Sequence, residues 1–183
     1  MLHGPAFSRS GPLIDIDDAA FVHPSAQIYG KVRLGPHVSV WPNVVMRAEM
    51  HEIVIGSRSN IQDFVMIHVG YATPTIVGED CSITHHVTLH GCTIGDRVLI
   101  GIGATIMDGC VIGENSIIAG GTFLKENTHI PPNSIVAGVP GILKATRDNS
   151  AANAQNALLY HENAKAYAAG DHRFWARALG KEA

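Results

Sequence analysis

Residues 93–130, TIGDRVLIGIGATIMDGCVIGENSIIAGGTFLKENTHI, carry an aliphatic side chain at every sixth position: Ile94, Ile100, Ile106, Ile112, Ile118, Leu124 and Ile130. A six-residue period is not that of an amphipathic helix, whose apolar positions recur at three and four, nor that of a hairpin meander, whose turns are spaced more widely and less evenly. It is the signature of a coiled parallel β-solenoid built from hexapeptide repeats.

Outward from this stretch, the same frame runs through Val22, Ile28, Leu34, Val40 and Met46, then Ile55, Ile61 and Ile67, then Val77, Ile83 and Leu89, and it ends at Val136. The breaks are extra residues after Met46 and Ile67 and a five-residue step from Leu89 to Ile94. The fifth position of the hexad is small or β-branched, as at Val38, Val65, Cys81, Ala104 and Cys110, so two inward residues per short strand fill a narrow prism. Nineteen hexads, taken three to a coil, predict about six coils over residues 20–145. Residues 1–19 read as an N-terminal extension. Residues 146–183 read as a helical tail docking along the prism, with one helix of about five turns and a short second one after Gly170. The expected fold class is mainly β, a parallel β-helix with a C-terminal α-helical segment.

Composition sets the outer bounds. The chain has 183 residues, enough for one domain with a sizeable core, and only 16% of them are charged, against 19 Gly and 9 Pro. A net charge of −3 without any basic run leaves nucleic acid without an electrostatic footprint. No apolar stretch has the length of a signal peptide or a membrane span, so neither a membrane nor a secretory route is expected. Three cysteines, Cys81, Cys92 and Cys110, sit among apolar neighbours as small fillers, and a cytoplasmic location fits them.

The hexad frame also sorts the 11 histidines. His68 follows Ile67 and His90 follows Leu89, three hexads on, which stacks both imidazoles on one wall a coil apart, a spacing suited to two ligands of one zinc ion. His85, two residues after Ile83, falls on the preceding wall, where the same chain can hardly bring it to that metal and a neighbouring subunit could. Arg47 shares the His68 and His90 column, while Gln62 and Asp63 share the wall of His85. Unlike walls meeting around a closed ring make a heterologous cyclic assembly, and a three-sided prism points to a homotrimer with three intersubunit sites. His86 is expected to pack at the rim, and His23, His37, His51, His129, His161 and His172 to be surface residues.

The strings WPNVVMRAEMHEIVIGSRSNIQDFVMIH and SITHHVTLHGCTIGDRVLIGIGATIMDGCVIGENSIIAGG resemble the gamma-class carbonic anhydrase family across roughly residues 22–144. The resemblance implies a left-handed β-helix, trimers with a metal at each interface, His68, His85 and His90 as ligands, and Arg47, Gln62 and Asp63 as site residues. ENAKAY resembles the family's C-terminal helix, which makes Tyr167 the counterpart of its active-site tyrosine. The implied activity is a lyase reaction, reversible hydration of CO2 to bicarbonate by a metal-bound hydroxide, with Zn2+ as the cofactor or Fe2+ or Co2+ in its place. Gln62 would orient the hydroxide, and Glu49, His86 and His51 are the candidates for moving the proton.

Two departures bear on turnover. The family's Arg-Gly-Asp reads Arg47-Ala48-Glu49, and the loop VGYATPT after His68 carries no carboxylate. Two other functions therefore stay in view: a coenzyme A-dependent hexapeptide acyltransferase or thioesterase, which the ending IVAGVPGILK resembles, and a metal-binding trimeric scaffold without turnover.

Overall fold

The computed structural model describes residues 13–181. Its strands form a three-walled parallel solenoid. On the first wall Ile28, Met46, Ile67, Leu89, Ile106 and Leu124 stack in register. Ile16, Leu34, Ile55, Val77, Ile94, Ile112 and Ile130 form the second column. The third runs from Val22 through Val40, Ile61, Ile83, Ile100 and Ile118 to Val136. Nearly all these side chains, and the small residues at the fifth position, are buried in one continuous core.

The solenoid has about seven coils where the hexad count predicts six. The additional strand is Ile14–Ile16, which pairs with Gln27–Leu34 and lies ahead of the expected beginning at residue 20. At the far end, Ile142–Thr146 turns back antiparallel on Ser134–Ala137 and covers that strand's edge.

Corners impose a backbone requirement that hydrophobic spacing does not reveal. The fourth residue of the hexad sits in the left-handed region, with φ of 61° at Asn43, 62° at Phe64, 59° at His86 and 60° at Asn115, and glycine takes the same place at Gly103 and Gly121. His86 is therefore a corner residue, and its ring stacks on that of Phe64 one coil away, with centroids 5.0 Å apart.

The extra residues after Met46 are not a loop. They lie within one long strand, Val45–Ile55, whose pairing with Gln27–Leu34 shifts register between Gly30 and Val32. Gly30 has φ 82°, and a Cβ there would collide with the Ala48 carbonyl, so the close approach of the two strands at this bulge needs glycine. Residues 49–52 bulge outward as a result, carrying Glu49 and Met50 beside the first wall.

Helix α1, Ser150–Ala168, crosses the third wall, and α2, Phe174–Ala178, follows it. The tail docks through small and amide side chains as well as through its aromatic ones. Asn153 donates to the carbonyls of Arg97 (2.7 Å) and Ser116 (3.2 Å), Asn156 donates to Ser82 Oγ (2.8 Å), and Ala157 and Ala164 are buried, whereas Leu158 is 47% exposed. A flat wall of paired strands has shallow grooves, so small and amide side chains that reach its outward polar groups hold the helix better than bulky aliphatic ones.

Candidate functional site

On the first wall the strand register aligns Arg47 with His68 and His68 with His90. His68 Nδ1 lies 3.0 Å from His90 Nε2. The other nitrogen of each ring faces a carboxylate: His68 Nε2 is 3.0 Å from Glu49 Oε2, and His90 Nδ1 is 2.7 Å from Asp108 Oδ2. An ionised carboxylate only accepts hydrogen bonds, so the outer nitrogens carry the protons and the inner ones present lone pairs. Two lone pairs 3.0 Å apart repel one another unless a proton or a metal cation lies between them.

Glu49 also pairs with Arg47. Burial pushes the Glu49 carboxyl upward, but hydrogen bonds from Arg47 and His68 outweigh it and hold the group below the ordinary carboxylate range. A cavity of about 370 Å³ opens over this wall, with Arg47, Glu49, His68 and His90 at its base and the exposed Met50 and Tyr71 at its rim. His51 Nε2, 3.2 Å from the Tyr71 carbonyl oxygen, ties the bulge to the loop after His68.

The third wall carries the rest of the expected set. Ile61 pairs with Ile83, which brings Asp63 under His85, with Asp63 Oδ2 3.1 Å from His85 Nδ1. Gln62 is buried and donates to Asn60 Oδ1 (2.9 Å), Asn60 donates to Ser82 Oγ (2.9 Å), and Ser82 is bonded in turn by Asn156 of α1. A second cavity, of about 250 Å³, lies between this wall and the helices, bounded by Trp41, Asp63, His85, Tyr160, Asn163 and Tyr167. Trp41 is buried, packing edge-on against Tyr167 at 4.9 Å and Tyr160 at 5.7 Å, and so acts as the seat of the helix.

Arg47, His68 and His90 thus meet on one wall, Asp63 and His85 meet on another beside Tyr167 of α1, and Gln62 lies next to Asp63 with its side chain bonded to Asn60. His85 does not reach the two stacked histidines within a chain, and among the described residues no group of three or more His, Cys, Asp or Glu side chains is placed to hold a metal.

Sequence reasoning missed four residues here. Tyr160 shares the cavity of Tyr167 because seven residues are nearly two helical turns, a signal the spacing did contain. Asp108 left no signal of that kind, since a side chain from the next coil reaches down to His90. His37 and His161, expected as isolated surface residues, meet between a solenoid corner and α1 with ring centroids 5.0 Å apart. Only the docked helix brings them together. Cys92, close to His90 in the chain, is buried among apolar neighbours, and desolvation pushes its thiol pKa well up, so it packs there as the sequence suggests.

Comparison with known proteins places this geometry. Residues 91–126 match the family model described as bacterial transferase hexapeptide, six repeats. Protein YrdA of Escherichia coli is 42% identical over 109 residues, 56% of this chain and 56% of YrdA. The protein named gamma carbonic anhydrase 1, mitochondrial, of Arabidopsis thaliana is 41% identical over 99 residues, 51% of this chain and 36% of that protein. The matches thus span about half the length of these curated relatives, or less. Among solved structures, a Bacillus cereus protein provisionally named an acetyltransferase superposes with a TM-score of 0.81 at 32% identity, covering 84% of this chain and 90% of that one. No helix among the described residues is long and apolar enough to cross a membrane. With its register, its histidine column and these relatives taken together, the chain belongs to the gamma carbonic anhydrase-like family of hexapeptide-repeat proteins.

Proposed function

We propose that the protein is a carbonic anhydrase-like lyase that interconverts CO2 and bicarbonate at a metal site shared between subunits of a homotrimer. The observation that carries this reading is the 3.0 Å approach of His68 Nδ1 to His90 Nε2, with a carboxylate on the outer nitrogen of each ring. Two nitrogens bound to one tetrahedral metal at about 2.0–2.1 Å lie about 3.3 Å apart, close to the 3.0 Å separation of His68 Nδ1 and His90 Nε2. Both carboxylates that hold the outer nitrogens are of the kind that orients metal-binding imidazoles. The donor set therefore fits a divalent cation such as zinc, with Fe2+ and Co2+ compatible with the same nitrogens. His68 and His90 hold it from one side, and His85 of the partner subunit completes the set.

When bound, such a cation supplies Lewis acidity that brings the pKa of water to about 7. The chain's own residues do the remainder. Met50 and Tyr71, with Val69 in the lining, give the cavity an apolar mouth through which a small nonpolar substrate enters with little desolvation. Arg47, held by Glu49, presents a guanidinium beside the histidines and attracts the bicarbonate anion. Gln62, locked by Asn60, orients the attacking oxygen from the other wall, and Asp63 holds His85 by Nδ1 so that Nε2 faces outward. Tyr167 and Tyr160 close the site from the helix side.

Stopped-flow CO2 hydration by protein with measured metal content tests this directly. Activity that scales with metal occupancy supports it, and fully loaded protein without activity above buffer defeats it. A second reading, acyl transfer or thioester hydrolysis with coenzyme A, is favoured by the fold's likeness to a protein named for acetyl transfer. It leaves the two facing lone pairs unexplained, and acetyl-CoA turnover without CO2 hydration would support it. A metal-binding scaffold is the outcome if metal binds and neither reaction runs.

A further inference from the structure

We propose that Asp108 is a positioning residue for the metal half-site, fixing the tautomer and ring direction of His90. This inference rests on the metal reading above. The register that pairs Leu89 with Ile106 sets Asp108 over Gly91, one coil away from His90's own turn. From there Asp108 Oδ2 accepts from His90 Nδ1 at 2.7 Å, and Oδ1 accepts from Thr73 Oγ1 at 3.4 Å.

The room for this carboxylate is built into the backbone. A Cβ at Gly70 or at Gly91 would collide with Asp108 Oδ1 and Thr73 Oγ1, so two glycines on neighbouring turns leave the space that the side chain fills. Its main chain is pinned on both sides, the Asp108 carbonyl accepting from Asn127 N (2.8 Å) and Gly109 N donating to the Gly91 carbonyl (2.8 Å). A carboxylate held in this way can only accept a hydrogen bond. It keeps the proton on Nδ1, leaves the Nε2 lone pair aimed at His68, and makes the ring a better donor to a cation.

An alternative role for Asp108 is structural, as one of the links between coils. The two roles differ in what they change. A link affects unfolding, whereas a positioning residue affects the His90 tautomer and the metal affinity even in protein that folds normally. Replacement by asparagine keeps the size but removes the charge and can turn its NH2 as well as its oxygen to Nδ1, so the Nδ1–H tautomer is no longer enforced, and outer-shell partners of this kind are worth about 10–100-fold in metal affinity.

The experiment is competition of metal-free protein with a chelator for Zn2+ or Co2+ alone, together with 15N NMR of the histidine rings without metal. Asp108→Asn should bind metal about 10–100-fold more weakly and should lose the Nδ1–H form of His90. Gly70→Ala serves as the second variant, because it keeps every functional group at a position without positive φ yet displaces the Asp108 carboxylate, and its affinity should fall as well. Asp108→Asn protein that binds metal like the parent with an unchanged His90 tautomer overturns the proposal. Parent protein that takes up no metal overturns the underlying metal reading and the role of Asp108 with it, so the two failures are distinguished by which protein fails.

Discussion

His68 Nδ1 and His90 Nε2 face each other at 3.0 Å while Glu49 and Asp108 occupy their outer nitrogens. The two imidazoles are thereby fixed in direction and in the nitrogen each turns toward the other.

Metal uptake should depend on His68, His90 and His85 and not on His86. Alanine at any of the first three should lower affinity by at least about 100-fold, since each removes one of three protein donors. His86→Ala, at a corner with its ring stacked on Phe64, should bind like the parent. Metal content after dialysis checks this, and sedimentation should find the metal in trimers, because His85 cannot complete the site within one chain.

Turnover should be limited by proton export. Glu49 is the only carboxylate lining the cavity among the described residues, and it is engaged by Arg47 and His68. Added imidazole buffer should therefore raise kcat several-fold with little change in kcat/KM. A kcat independent of buffer would place the limiting step elsewhere.

Acid should weaken the docking of α1 through His161. Burial lowers its pKa, and the neighbouring His37 and Lys165 add to the effect against Glu162. A histidine with a depressed folded pKa binds more protons when unfolded, so its stability contribution is complete above about pH 6.5 and is lost as pH falls through the folded pKa. The drop in Tm between pH 7.5 and pH 5.5 should be smaller for His161→Gln than for the parent.

The native thiols should be inert. Burial pushes Cys81 up to about 12 and raises Cys110 and Cys92 as well, so almost no thiolate exists at pH 8. An aromatic disulfide reagent should react within minutes only after denaturant is added, and then with three thiols per chain. Rapid native labelling would mean that the coils open readily.

Core truncation should be costly. Ile100 is fully buried in the third column, and Ile100→Ala should cost about 2–5 kcal/mol in denaturant unfolding. A loss under about 1 kcal/mol would show that the prism collapses around the gap.

The hexad period by itself determined the solenoid, the two inward residues of each strand, and the column shared by Arg47, His68 and His90. A strict repeat turns chain position into spatial position, so residues at the same place in successive coils must stack. The same arithmetic put His85 and Asp63 on a different wall from His68. The same frame extends to Ile16, six residues before Val22, which the count beginning at Val22 leaves out.

What the repeat could not determine lies wherever contacts depend on side-chain reach or on elements outside the period. The bulge at Gly30 that swings Glu49 against His68, the descent of Asp108 onto His90, and the asparagines that seat α1 on the third wall were decided only by the tertiary structure. So were the meeting of His37 with His161 and the seating of that helix face over His85. The physical reason is common to all of them. A repeat specifies backbone register, and the functional geometry is set by the last few ångströms of side chain between registers.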